Sequence, residues 1–166
     1  MLETVPAKAA PDNGVWCDLH QARPRGLLPE AERSRVAAFV STVPEWGGVV
    51  LVVGDVSRWV QVSAGEIVSF QSFLTGRLAA ALGAEAAPDE TALADAMSQP
   101  ERLAGMLRSA EVSGESGVAL GALIGAELAA TRAFWLGADV RLIGEGRLGE
   151  AYETALRAQA AWVTRA

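Results

Sequence analysis

The sequence predicts an α/β domain: three consecutive antiparallel strands, then helices, a further strand and a closing helix. Three observations predict it. Short apolar runs at 49–53, 58–63 and 66–74 follow one another, separated only by glycine-bearing turns. A long apolar helical pattern over 118–136 comes later, and the strand-like "DVRLI" stands between it and an amphipathic stretch over 148–161. The chain has 166 residues, 51% of them hydrophobic, enough for one domain with its own core.

Residues 1–14, "MLETVPAKAAPDNG", lack periodicity and carry Pro, Asn and Gly. They are expected to form a flexible tail, with a single lobe over 15–166. In "LLPEAERSRVAAFVSTV", Pro29 lies near a helix start and acids fill the first turn. Val36, Phe39, Val40 and Val43 then share one helical face, and Pro44 with Gly47 and Gly48 ends the helix. Val49–Val53 is continuously apolar, the mark of a strand buried on both faces. Arg58–Ser63 reads as the second strand, Ala64-Gly65 as a hairpin turn and Glu66–Leu74 as the third strand.

Gly76 to Glu85 reads as a helix, and Pro88 to Ala110 as two short helices split at Pro100. Asp89 is placed to cap the first of these by accepting an orphan backbone N–H. "SGESG" links them to the long helix Val118–Leu136, which is apolar all round and therefore central. Gly117, Gly121 and Gly125 recur every fourth residue along one face, where a neighbouring element can approach closely. Tight packing is the reading adopted for that stripe. "DVRLIGEG" is a fourth strand ending in glycines. Leu148–Ala161 closes the fold, with Tyr152, Leu156 and Trp162 as core candidates. This order, with no internal repeat, is the pattern of an RNase H-like lobe.

The net charge is −6, so nothing draws the chain to nucleic acid or to an anionic membrane. Cys17 is the only cysteine, which excludes an intrachain disulfide and suits a reducing cytoplasm. The residues after Met1 lack the charged start and apolar core of a signal peptide. The most apolar run, Gly117–Ala126, ends at Glu127, far short of the about 20 residues a membrane span needs.

Candidate chemistry is sparse. His20 is the only histidine and lies near the expected tail, so a histidine-based triad has no obvious base. Cys17 and His20 share a C-x-x-H spacing, but two ligands do not make a zinc site. No G-x-x-x-x-G-K-[ST] occurs. Glu66 and Glu127 are conceivable as a carboxylate pair, but nothing in the sequence brings them together. No catalytic residue and no metal site is assigned. Two glycine loops are more specific. Gly54–Arg58 lies between strands, where backbone N–H groups can form an anion-binding concavity. Gly144-Glu145-Gly146 lies between strand and helix, where a flat ring can approach the backbone and the helix N-terminus favours anions.

Taken in order, "GDVSRWVQVSAGEIVSFQSFLTGRLAAAL", "LGALIGAELAATRAFW" and "VRLIGEGRLGEAYETALRA" resemble the C-terminal half of the 2-keto-3-deoxygalactonate kinase (2-dehydro-3-deoxygalactonokinase) family. That family reads P-G-T-H-S-K-W in the first block, then F-x-T-F-x-T-G-E-L, then G-L-L-I-G-A-E, then a strand, a small-residue loop and a helix with R-Y-x-x-A-L. The resemblance runs from about residue 23 to 160 and rests on block order more than on any one block. It implies one lobe of the two-lobed sugar kinase, heat-shock chaperone and actin superfamily, whose lobes are each RNase H-like and hold ATP between them. On that basis Gly54–Trp59 occupies the second phosphate loop, and Gly144–Gly146 the adenosine-side loop. The site residues implied are Gly54, Asp55, Ser57, Arg58, Gly144, Glu145 and Gly146.

The departures sharpen the expectation. The family's D-x-G-T-type first phosphate loop is missing from these residues, which cannot hold both lobes. Asp55 and Val56 stand where the family has Thr and His, Arg58 replaces Lys, and Arg77 replaces the acid of T-G-E-L. A carboxylate about 4 Å from a phosphate oxygen is repelled by roughly 4 kcal/mol per charge pair at an effective dielectric near 20. Asp55 therefore turns a donor into an anion where a phosphate would lie, unless Mg²⁺ bridges the two. The leading expectation is a kinase-like lobe that is catalytically silent alone, needs no cofactor in isolation, and associates as a homodimer or with a separate complementary lobe. The alternatives are half of a split ATP-dependent sugar-acid kinase, using Mg-ATP, and a non-catalytic dimerisation or metabolite-binding module. Trp16, Trp46 and Trp135 are candidates for an interface or for burial.

Overall fold

The structure, a computed structural model, describes residues 3–166. Met1 and Leu2, part of the expected tail, lie outside the described residues. The first strands are β1 (Glu3–Thr4), β2 (Ala7–Lys8), β3 (Leu19–Ala22) and β4 (Arg25–Leu28), followed by helix α1 (Glu30–Thr42). The meander is β5 (Gly47–Val52), β6 (Ser57–Ser63) and β7 (Glu66–Phe73). Helices α2 (Thr75–Ala81), α3 (Glu90–Ser98), α4 (Leu103–Ser113), α5 (Ser116–Ala130) and α6 (Arg132–Trp135) come next. Strand β8 (Asp139–Ile143), helix α7 (Gly146–Ala158) and strand β9 (Trp162–Arg165) complete the order.

The main sheet runs β2–β7–β6–β5–β8–β9. β5, β6 and β7 pair antiparallel, while β8 and β9 continue the sheet parallel to β5. This is the RNase H-like lobe the element order predicts. β5 is buried on both faces, as its unbroken apolar run requires. Val49 and Leu51 pack with Trp59, Leu123, Ile124 and Tyr152 on one side. Val50 and Val52 pack with Val36, Val40, Ile67 and Phe70 on the other. The hairpin at Ala64-Gly65 has φ values of 45 and 82, the left-handed pair that a two-residue hairpin turn demands.

The glycine stripe on α5 packs tightly, as read. A Cβ on Gly121 would lie 2.3 Å from the Asp89 carbonyl oxygen, and one on Gly125 2.3 Å from that of Leu93. Only bare backbone lets α3 come that near. Asp89 caps α3, accepting the Ala92 N–H at 2.8 Å.

Four expectations are revised. Residues 3–9, read as part of a flexible tail, form β1 and β2, and Ala7 and Ala9 are buried. These strands pair with β3 and β7, and Arg33 of α1, fully buried, ties them down: its guanidinium donates to Glu3 at 2.8 Å, to the Lys8 carbonyl at 2.7 Å and to the Ala9 carbonyl at 3.0 Å. A tether 24 residues away along the chain leaves no local signal. The long helix breaks at Thr131, whose hydroxyl donates to the Glu127 carbonyl at 2.8 Å. After α7 the chain forms β9, and Trp162, read as core, is 75% exposed. β9 is a short edge strand with Val163 as its one buried residue, too little for a periodicity to register. Trp135 is buried, and Trp46 is half-buried with its indole N–H on Asp139 at 2.8 Å. Trp16 is 37% exposed. Among the described residues, no helix is long and apolar enough to cross a membrane.

Candidate functional site

β5 and β8 are parallel neighbours, with Val52 opposite Ile143. The ladder continues one residue past β5, where the Val53 N–H donates to the Ile143 carbonyl at the end of β8 at 2.8 Å. The two glycine loops therefore leave the sheet side by side, and a Cβ on Gly144 would sit 2.8 Å from that of Val53. In open α/β sheets the ligand crevice lies outside these carboxyl ends. The start of α2 closes over the first loop. A Cβ on Gly76 would lie 2.2 Å from the Gly54 carbonyl oxygen, and the Arg77 N–H donates to the Asp55 carbonyl at 2.9 Å.

A cleft of about 420 Å³ opens between α2 and the start of α7, lined by Gly76, Ala79, Leu120, Arg147 and Leu148 among others. It shares Glu85 and Arg147 with a larger slot of about 730 Å³. That slot runs between the 85–94 segment and α7, with an apolar lining that includes Pro88, Leu93, Ala151 and Ala155. Arg147 stands between the two, its guanidinium donating to the Glu85 carbonyl at 3.0 Å.

Gly54 and Asp55 are exposed at the first turn, and Glu145 and Gly146 at the second, with Gly144 half-buried. Gly146 opens α7 with a φ of 66, which favours glycine. The Gly144 carbonyl accepts Arg165 at 2.8 Å. Ser57 and Arg58 turn the other way. The Ser57 hydroxyl is fully buried and donates to Glu127 at 2.7 Å. Arg58 is buried with its guanidinium on Glu32 at 2.5 Å and on the Leu27 carbonyl at 3.0 Å.

Glu127, considered in the sequence only as half of a carboxylate pair with Glu66, has a different role. It is 3% exposed, yet its carboxylate accepts from Ser57 at 2.7 Å, the Trp59 indole at 2.7 Å, the Tyr152 phenol at 2.6 Å and the Thr75 hydroxyl. A carboxylate cannot be buried without such partners. Burial first, and then the Glu127 charge, push the Tyr152 phenol well above its usual pKa, so it stays a donor. The signal was present: an acid interrupting the most apolar helix. Glu66, its imagined partner, lies at the far end of β7 from Phe73, whose strand neighbour is Ser57. Cys17 and His20 acquire no further ligands: among the described residues, no group of three or more His, Cys, Asp and Glu is placed to hold a metal ion.

Residues 19–166 match the family described as 2-keto-3-deoxy-galactonokinase. The chain belongs to that family. It also resembles the crystal structure of a "putative 2-dehydro-3-deoxygalactonokinase protein" from Sinorhizobium meliloti, with a TM-score of 0.85 and 21% identity. The similarity covers 99% of this chain and 68% of that one. At that identity the likeness speaks for the fold, and it is consistent with a C-terminal lobe. No curated protein matches the chain.

Several of the family's letters that this 2-keto-3-deoxygalactonate kinase-like chain keeps point inward, although Leu78 is exposed. Ser57 and Trp59 come from the first block, Thr75 from the second, Glu127 from "GALIGAE" and Tyr152 from "EAYETAL", and together they build the buried carboxylate cluster. Of its departures, Asp55, Val56 and Arg77 sit at the cleft-side turn and on α2 beside it, whereas Arg58 is buried. Family membership implies Mg-ATP. The slot along α7 is roomy and largely apolar, and Gly144, Glu145 and Gly146 are not among its lining residues. The Gly54 turn offers a phosphate no side-chain donor: its exposed side chain is a carboxylate, its hydroxyl is spent on Glu127, and its guanidinium is spent on Glu32.

Proposed function

We propose that this lobe keeps the nucleoside side of a sugar-acid kinase site and has given up the phosphate side, so that it does not phosphorylate 2-keto-3-deoxygalactonate on its own. The observation that carries this reading is the opposite fate of neighbouring residues. Asp55 is exposed at the turn, while Ser57 and Arg58 are tied into the interior. Phosphoryl transfer is almost entirely positioning and charge stabilisation, and a turn offering an anion supplies neither. The slot between α7 and residues 85–94 then holds a purine nucleoside by apolar contact, with Arg147 at its mouth. The test is a coupled assay for ADP release with 2-keto-3-deoxygalactonate and Mg-ATP. No release above the enzyme-free control is expected, and sustained release would overturn the reading.

For assembly, the reading is a homodimer through the cleft face in a reducing cytoplasm, where Cys17 stays free. Leu74 and Leu78, 52% and 41% exposed, flank Arg77 on one face of α2, beside the Asp55 turn. Ser57 and Arg58 are buried and take no part. A separate complementary lobe would use the same face. Light scattering on the isolated chain distinguishes the two, since a strict monomer at high micromolar concentration excludes the homodimer.

A further inference from the structure

We propose that Glu127 is a positioning residue whose carboxylate fixes the spacing of the two glycine loops. Its two oxygens are divided between the elements that carry those loops. Oε1 accepts from Ser57 and Trp59 on β6, and Ser57 follows directly on the Gly54–Val56 turn. Oε2 accepts from Thr75 and Tyr152. Thr75 opens α2 and is joined to Gly76, whose backbone presses on Gly54. Tyr152 lies on α7, which begins at Gly146 in the second loop.

The post to which these braces are tied is itself rigid. α5 is held against α3 by the glycine stripe and is buried over most of its length. The donors have few other acceptors within reach. The one further partner of Ser57 is the Phe73 carbonyl at 3.5 Å, at the limit of a hydrogen bond. Neither Glu127 nor Tyr152 lines the slot or the smaller cleft beside it, so the carboxylate holds the walls and touches no ligand. The inference rests on the placement of the loops and not on which molecule enters between them.

Hydrogen–deuterium exchange of the unliganded full chain tests it. Glu127→Gln should speed exchange about tenfold more in the turn 54–56 and in 144–148 than in the strand amides 49–52 and 59–63. Of the two loops, Ser57→Ala should selectively loosen 54–56 and Tyr152→Phe 144–148, beyond any change shared with the central strands. The proposal fails if Glu127→Gln leaves both loops unchanged, if it speeds loops and central strands alike, or if Ser57→Ala and Tyr152→Phe loosen the same peptides. Should Glu127→Gln not fold, the two hydroxyl deletions carry the test alone, because an ordinary core contact would not divide its effect between two loops.

Discussion

The Ser57 hydroxyl donates to a Glu127 carboxylate oxygen across 2.7 Å, with both residues shut away from solvent. A polar side chain beside the Gly54 turn thus serves the core. Ser57→Ala should lower unfolding free energy by about 1.5–3 kcal/mol, the range for a hydrogen bond to a charged group. Urea denaturation measures this, and adenosine affinity should stay within about twofold of the parent. A stability-neutral variant would mean that Glu127 finds another donor.

The α3–α5 contact should be intolerant of even one methyl group. A Cβ on Gly125 would meet the Leu93 carbonyl oxygen at 2.3 Å and the Ala96 side chain at 3.1 Å. Gly125→Ala should cost about 1–3 kcal/mol by overpacking, despite the better helix propensity of alanine. A lower urea midpoint at unchanged slope is the expected result.

Much of this fold was legible in the sequence, and the reasons can be located. Val49–Val53 and the Ala64-Gly65 turn carry their own signals, an unbroken apolar run and a left-handed pair. The α5 stripe announced close packing because bare backbone has few other uses at that spacing. The N-terminal strands were not legible, because Arg33 orders them from a distant helix. The candidate site was half legible. The sequence places Gly54 and Gly144 at the ends of strands, and the parallel pairing of β5 with β8 sets them side by side. Which way Ser57 and Arg58 point depends on partners at Glu127 and Glu32, and no local pattern encodes those.

The Arg58–Glu32 pair gives a pH-dependent expectation. Burial raises the Glu32 carboxyl above its usual pKa, and the adjacent Arg58 charge and hydrogen bond pull it back only in part. The folded chain thus holds this proton more tightly than the unfolded chain does. The contribution of Glu32 to stability therefore falls as pH rises from the ordinary carboxylate pKa through the raised one. Arg58→Met removes the restoring partner and raises that pKa further. The variant should lose more stability, relative to the parent, at about pH 7 than at about pH 5. Equal losses in urea melts at both values would contradict this.

The Asp55 turn should be reparable in one respect. Asp55→Thr removes an anion and restores a hydroxyl donor at the turn, so affinity for Mg-ADP should rise while affinity for adenosine does not. The gain should shrink as salt is added, since it comes from relieving repulsion near the surface. A variant that binds both ligands as the parent does would place the phosphates elsewhere.

The central claim is that the cleft reads the nucleoside and rejects the phosphates, and titration calorimetry with adenosine and with Mg-ATP on the same preparation tests it most directly. The account predicts saturable adenosine binding and Mg-ATP binding that is no tighter. Mg-ATP binding more than about tenfold tighter than adenosine, equivalent to about 1.4 kcal/mol gained from the phosphates, would contradict it.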